Sequence, residues 1–160
     1  MRGNKSGGVE SVLMRRRLAN SIYRMMDANA NRAGEGLRVA EDVFRFSLGD
    51  SSLSASARKI RHDISHHAIE LVARHILLTS RDSEGDPGAG RYSSSHQRLN
   101  LEALLTANLR RAQESARVLE ECARLLGKNT SVRQFQSDRY ALYTLEKRAG
   151  EILGLRHRRK

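Results

Sequence analysis

Asparagine, arginine and glutamate recur in this chain at a fixed spacing that packing alone does not require. Residues 28–45 read ANANRAGEGLRVAEDVFR, and residues 107–124 read ANLRRAQESARVLEECAR, an offset of 79. Identical in both copies are Ala28/Ala107, Asn29/Asn108, Arg32/Arg111, Ala33/Ala112, Glu35/Glu114, Arg38/Arg117, Val39/Val118, Glu41/Glu120 and Arg45/Arg124. Guanidinium groups present forked donors that match phosphate or carboxylate oxygens, and carboxylates orient those donors or bind hard cations. A duplicated set of these types points to a paired polar site that grips anions.

The motifs need helices to present them. Advancing about 100° per residue from Asn29, the residues Ala40, Ala33, Phe44, Leu37, Val43 and Val39 cover one apolar arc. Asn29 and Arg32 fall inside that arc, Glu35 and Asp42 at its edge, and Arg38 further round. The second copy repeats this, with Asn108 and Arg111 among Val118, Cys122, Leu119, Ala112 and Ala123. Such groups cost several kcal/mol if buried unpaired, and Glu35 and Glu114 stand at i+3 to answer Arg32 and Arg111. One reading is an Arg–Glu network that fixes the register of two helices. The favoured reading sets the two motifs across a shared cleft, with spare donors aimed at anionic ligands.

The rest of the chain reads as helices around these motifs. One Pro, no Trp, three Phe and four Tyr suit an all-α fold. The expected helices span about 18–48, 53–78, 99–126 and 132–153, two pseudo-symmetric hairpins forming one bundle domain. The pseudo-repeats cover about 22–78 and 99–153, within a single domain of 18–155. Each second helix carries an early pair of arginine and aromatic-type residue, Arg61-His62 and Arg139-Tyr140. Between the halves lies a loop, 79–97, holding Arg81, Asp82, Asp86, the only Pro and several glycines. A cation, carboxylates and backbone-exposing glycines could hold phosphate oxygens and a Mg²⁺ ion.

The net charge of +11 belongs mostly to the ends. Residues 1–17 carry +4 and are expected to form a flexible basic arm. Residues 156–160, a basic tail, carry another +4, which leaves the body with 20 basic and 17 acidic residues. A near-neutral body with few aromatics disfavours nucleic acid as a partner. No apolar run approaches the roughly 18 residues of a membrane span, and no signal peptide is evident, so the cytoplasm is expected by default. Cys122 reads as a small core residue. His62 and His66, at i+4, could bind a metal, but packed or solvated histidines are the favoured reading. An exposed apolar edge would suit a homodimer.

Four blocks, taken together and in order, carry a resemblance: DANANRAGEGLRVAED (27–42), RDSEGDPG (81–88), ANLRRAQESARVLEE (107–121) and RYALYTLEK (139–147). They resemble the small helical domain often fused in front of bacterial thiamine-phosphate synthase, a domain proposed to be a non-orthologous hydroxymethylpyrimidine-phosphate kinase. Pro87 and Ala89 stand where that family's pattern has Val and Thr. The synthase barrel is absent, so synthase activity is not implied. The resemblance implies phosphoryl transfer from MgATP to a phosphorylated pyrimidine, with thiamine-phosphate synthase as a possible partner. On that reading Arg32, Arg38, Arg111 and Arg117 clamp phosphates. Glu35, Glu114, Asp82 and Asp86 orient the arginines, with Glu35, Glu114 and Asp86 as the Mg²⁺ ligands, and Arg81 contacts phosphate. Asn29 and Asn108 read ring edges or sugar hydroxyls.

Overall fold

A computed structural model describes residues 6–88 and 100–154. Its order is α1 (Ser6–Asp42), a π-helical turn (Val43–Ser47), α2 (Ser51–Leu71), α3 (Arg74–Ser80), α4 (Leu101–Leu125) and α5 (Asn129–Ile152). The all-α bundle is as expected, and the ends of its long helices follow from local chemistry. Asp50 caps α2 by accepting from the Leu53 amide at 2.8 Å, and Asn100 caps α4 by accepting from Ala103 at 2.8 Å. Gly49 and Gly127 close the motif helices at φ 63° and 68°, a backbone that other residues adopt only at a cost.

Four helices form two layers. Glu41 of α1 meets Arg58 and Arg61 of α2, and Glu120 and Gln113 of α4 meet Arg139 and Glu146 of α5, so each half is an antiparallel hairpin. Across the halves, Arg148 reaches Ser52, His67 meets Asp138 and Gln134 meets Glu70, which makes α2 and α5 antiparallel. It follows that α1 and α4 are antiparallel too, in the layer opposite. A pseudo-twofold axis, normal to the helices, relates the halves. Met26, Leu37, Phe44, Leu105, Leu109, Leu119, Phe135 and Leu142 fill the space between layers. Each such side chain contributes about 1.5–3 kcal/mol by leaving water. The α1·α4 crossing is tight at Gly36, where a Cβ would stand 2.6 Å from the Asn108 carbonyl oxygen.

Several expectations change. The stretch read as a flexible arm is helical from Ser6, continuous with α1, and residues 10–18 are exposed. The basic tail at 156–160 and most of loop 79–97 beyond Gly88 lie outside the described residues. The helix expected over 53–78 is two: Val72, at φ −138° and ψ 120°, breaks it, and α3 folds back onto α1. Ile152, at the end of α5, is exposed.

The π-helical turn has a counterpart in the numbering. The halves match at an offset of 79 through Glu41/Glu120, but Gly49/Gly127 and Arg61/Arg139 match at 78. The first half thus holds one extra residue between its motif and its closing glycine. A π turn absorbs a single inserted residue without breaking the helix.

Candidate functional site

The repeated motif sorts into two tiers. The inner tier is a buried carboxylate in each half. Glu41, 1% exposed, accepts from Arg58 Nε at 2.8 Å, from Arg61 at 3.3 Å and from Arg38 at 3.4 Å. Glu120, fully buried, accepts from Arg117 Nη1 at 3.0 Å, from Arg139 at 3.1 Å and from Arg124. Burial alone would raise both carboxyl pKa values. The hydrogen bonds and charges of Arg58, Arg61 and Arg38 outweigh it at Glu41, and those of Arg124, Arg139 and Arg117 outweigh it at Glu120, so both titrate below the ordinary range. These two clusters pin each hairpin together. The Arg–Glu network considered from the sequence was to join the two motif helices through Glu35 and Glu114; the clusters found are instead centred on Glu41 and Glu120, and each lies within one hairpin.

The outer tier is unengaged. Arg32, Glu35, Arg111 and Glu114 are all exposed, contrary to the inward orientation drawn from the helical wheel. Their wheel positions border the α1·α4 contact, and the close approach at Gly36 leaves them outside it. Among the described residues, Arg32, Glu35 and Glu114 make no ion pair, and Arg111 has only a long 3.5 Å bond to Asn108 Oδ1.

Arg32 and Glu35 line a hollow of about 370 Å³ with Arg24, Asp27, Asn31, Arg81, Asp82, Ser83 and Asp86. Here the α1 motif and the acidic loop meet. Arg81 forks onto Asp27 with bonds of 2.7 and 2.8 Å, and Arg24 reaches Asp82 at 3.5 Å. Within the loop, Asp82 accepts from the Gly85 amide and Asp86 from the Gly88 amide, each at 2.8 Å, so the turn is built by its own carboxylates.

A second hollow, about 590 Å³, is lined by Asn100, Glu102, Ala103, Thr106, Ala107, Arg110, Arg111 and Glu114. Its Ala107, Arg110, Arg111 and Glu114 are the counterparts of Ala28, Asn31, Arg32 and Glu35 in the first. The motifs thus line two hollows in place of the one shared cleft expected. A twofold axis normal to an antiparallel pair keeps equivalent faces pointing the same way. Both hollows accordingly open on the outer face of the α1·α4 layer, away from α2 and α5.

Other expected site residues are placed elsewhere. The Asn29 amide donates to the Met25 carbonyl and that of Asn108 to the Leu104 carbonyl, each at 2.8 Å, and both side chains are buried at the helix crossing. They satisfy their own helices and line neither hollow. Arg38 and Arg117 belong to the buried-carboxylate clusters. Glu114 lies in the second hollow, apart from Glu35 and Asp86, so these three do not form one metal site. Glu35, Asp82 and Asp86 do line one hollow, but among the described residues their oxygens are not gathered into a group that could hold a metal ion by themselves. Sequence reasoning missed Arg24, Asp27 and Asn31 as residues of this hollow. Arg24, Asp27, Asn31 and Glu35 follow one another at steps of three or four residues, a spacing that places them on the same face.

No helix among the described residues is long and apolar enough to cross a membrane. No solved structure matches the chain. It is similar to the thiamine-phosphate synthase of Nostoc punctiforme, 34% identical over 140 residues that cover 86% of this chain and 38% of that protein. The thiamine-phosphate synthase of Thermosynechococcus vestitus is 38% identical over 126 residues, covering 78% of this chain and 34% of its own. That of Rhodopirellula baltica is 42% identical over 104 residues, covering 64% and 28%. The matched part of the chain thus spans only 28–38% of the length of these curated relatives. The ThiD2 family profile matches residues 24–148, a span that takes in both motif helices, the loop after Arg81 and both buried carboxylates, and on that match the chain belongs to the ThiD2 family.

Proposed function

We propose that this chain is a thiamine-biosynthesis kinase that transfers the γ-phosphoryl group of ATP to hydroxymethylpyrimidine phosphate, giving the diphosphate and ADP. The observation that carries this reading is the contrast between tiers. Glu41 and Glu120 each engage three arginines, while among the described residues Arg32, Glu35 and Glu114 make no ion pair and Arg111 only one long hydrogen bond, around two hollows on one face. Charges left without partners at helical positions that recur in both halves suit ligands that bring charge of their own.

The reaction joins a phosphate oxygen of the acceptor to the γ-phosphorus as the bond to the ADP oxygen breaks. It asks the protein chiefly for positioning and charge neutralisation. In this reading Arg32, Arg81 and Arg24 face the nucleotide phosphates, and Glu35, Asp82 and Asp86 would offer oxygens to a Mg²⁺ ion brought in with the nucleotide, whose charge would offset that of the phosphates. Arg110 and Arg111 take the acceptor phosphate in the second hollow. A phosphate oxygen is already a nucleophile, so no general base is required.

The test is ADP release coupled to a reporter, with MgATP and the monophosphorylated pyrimidine. Turnover that depends on the pyrimidine, and is lost in R32A and R111A without loss of folding, supports the kinase. Full activity in both variants would remove the site assignment. A second reading is supported by the relatives' names and lengths: a helical domain that binds a pathway phosphate or docks to thiamine-phosphate synthase. It expects ligand-raised melting temperature with no nucleotide turnover.

A further inference from the structure

We propose that His66, His67 and Glu70, on the outer edge of α2, form a site for a borderline divalent transition metal of the Zn²⁺ class. One ligand atom from each lies within 4.8 Å of the other two. His66 Nδ1 and Glu70 Oε2 stand 3.4 Å apart. Two ligands on a tetrahedral zinc with bonds near 2.0–2.1 Å are separated by about 3.3 Å. Both side chains are well exposed, so rotation of His66 and Glu70 closes the remaining gap without moving the backbone.

The second observation lies behind His67. Its Nδ1–H donates to Asp138 Oδ2 at 2.7 Å, and Asp138 is 5% exposed, a carboxylate set into the α2·α5 interface. Phe135 holds the other side of the imidazole edge-on, with centroids 6.2 Å apart. This fixes one tautomer, with the lone pair on Nε2, and it is the carboxylate–histidine arrangement that raises the basicity of a metal-binding imidazole. A ring oriented from behind by a buried acid, beside a second imidazole and a carboxylate, offers two nitrogens and an oxygen. That set suits Zn²⁺, Co²⁺ or Ni²⁺ and is a poor choice for Mg²⁺.

The repeat does not demand these residues. Their counterparts in α5, 78 positions on, are Thr144, Leu145 and Arg148, none of which is a ligand of this kind. The pair whose i+4 spacing alone would allow a metal, His62 with His66, is not the one that gathers. Adjacent histidines point about 100° apart, and only a glutamate one turn further, reaching back between them, closes the set.

The experiment uses the full chain, stripped with a chelator and titrated with Co²⁺ while the visible d–d bands of tetrahedral Co²⁺ are recorded. The expected result is a 1:1 endpoint reversed by one equivalent of Zn²⁺. H66A and E70A should each weaken Co²⁺ binding by about tenfold or more, and D138N by about 10–100-fold. H62A should bind as wild type. If D138N does not fold, H66A and E70A still decide, because both residues are exposed. Absence of tetrahedral bands, or H66A and E70A variants that bind like the wild type, would overturn the proposal.

Discussion

Arg81 holds Asp27 with two parallel hydrogen bonds, 2.7 and 2.8 Å long, and so ties the acidic turn after α3 to the middle of α1. A forked pair of this kind fixes direction as well as distance. Lysine at position 81 keeps the charge and loses the fork. R81K is expected to reduce kcat/KM by roughly ten- to a hundredfold, since a small misplacement of positioning groups has that effect. Steady-state kinetics on R81K checks it, and an unchanged kcat/KM would detach the turn from the site.

The two hollows should separate in kinetics. D86N is expected to raise the KM for MgATP, and R110A the KM for the phosphorylated pyrimidine, each by about tenfold, a loss of roughly 1.4 kcal/mol of binding. The reverse pattern would exchange the two substrates between the hollows.

Glu41 and Glu120 each answer three arginines from inside the bundle. E41Q or E120Q leaves cations facing a neutral amide, and each should lower unfolding free energy by about 2–4 kcal/mol. Urea titration measures it. Equal midpoints for variant and wild type would show that the clusters contribute nothing net.

Acid should act through the same groups. Both glutamates titrate lower in the folded chain than in the unfolded one. Their stabilisation is therefore complete above the unfolded carboxylate range, near pH 4.5, and drains away as pH falls through the folded values. Asp138 works in the opposite sense. Burial raises its pKa, and His67 offsets only part of that, so its contribution declines as pH rises past the unfolded value. The double variant E41Q/E120Q should show a shallower loss of stability between pH 5 and pH 3, by about 2 kcal/mol or more. An acid limb as steep as the wild type's would contradict this.

Two glycines two residues apart should respond oppositely to alanine. Gly34 has open space where a Cβ would go, so G34A should stabilise by about 0.5–1 kcal/mol through helix propensity. At Gly36 the new methyl meets the Asn108 carbonyl at 2.6 Å, backbone that cannot swing aside. G36A should destabilise by about 1–3 kcal/mol. Thermal melts of the two variants give the answer, and a shift of the same sign in both would refute the tight crossing.

Helix positions were legible because Ile22, Met26, Ala33, Leu37 and Phe44 keep one period, as do Leu105, Leu109, Ala112, Leu119 and Cys122. The gathering of Arg32, Glu35, Arg81, Asp82 and Asp86 was legible from repeated charged types and a glycine-rich acidic turn. The exposure of Arg32 and Arg111 was not. At about 300° on the wheel they border the apolar arc, and only the partner helix decides which side of that border is wet. The break at Val72 was hidden because the apolar spacing runs straight through it. Glu41 and Glu120 were identical in both copies but were given no role. A glutamate flanked at i−3 and i+4 by arginines in both copies was the available signal.

The π-helical turn shows how one half of the molecule drifted from the other while keeping the same ends. At Glu120 the guanidinium one turn further along, Arg124, closes the cluster from its own helix. The slackened coil swings the matching Arg45 away, over the ring of exposed Phe46 at 4.8 Å, and Arg58 of the facing helix takes its place at Glu41. Excising Phe46 would restore an ordinary helix with Gly49 still at its close. The released Arg45 could then return to Glu41, leaving Arg58 free to be lost. A length change inside a helix has here been converted into a change of which segment supplies a counter-ion.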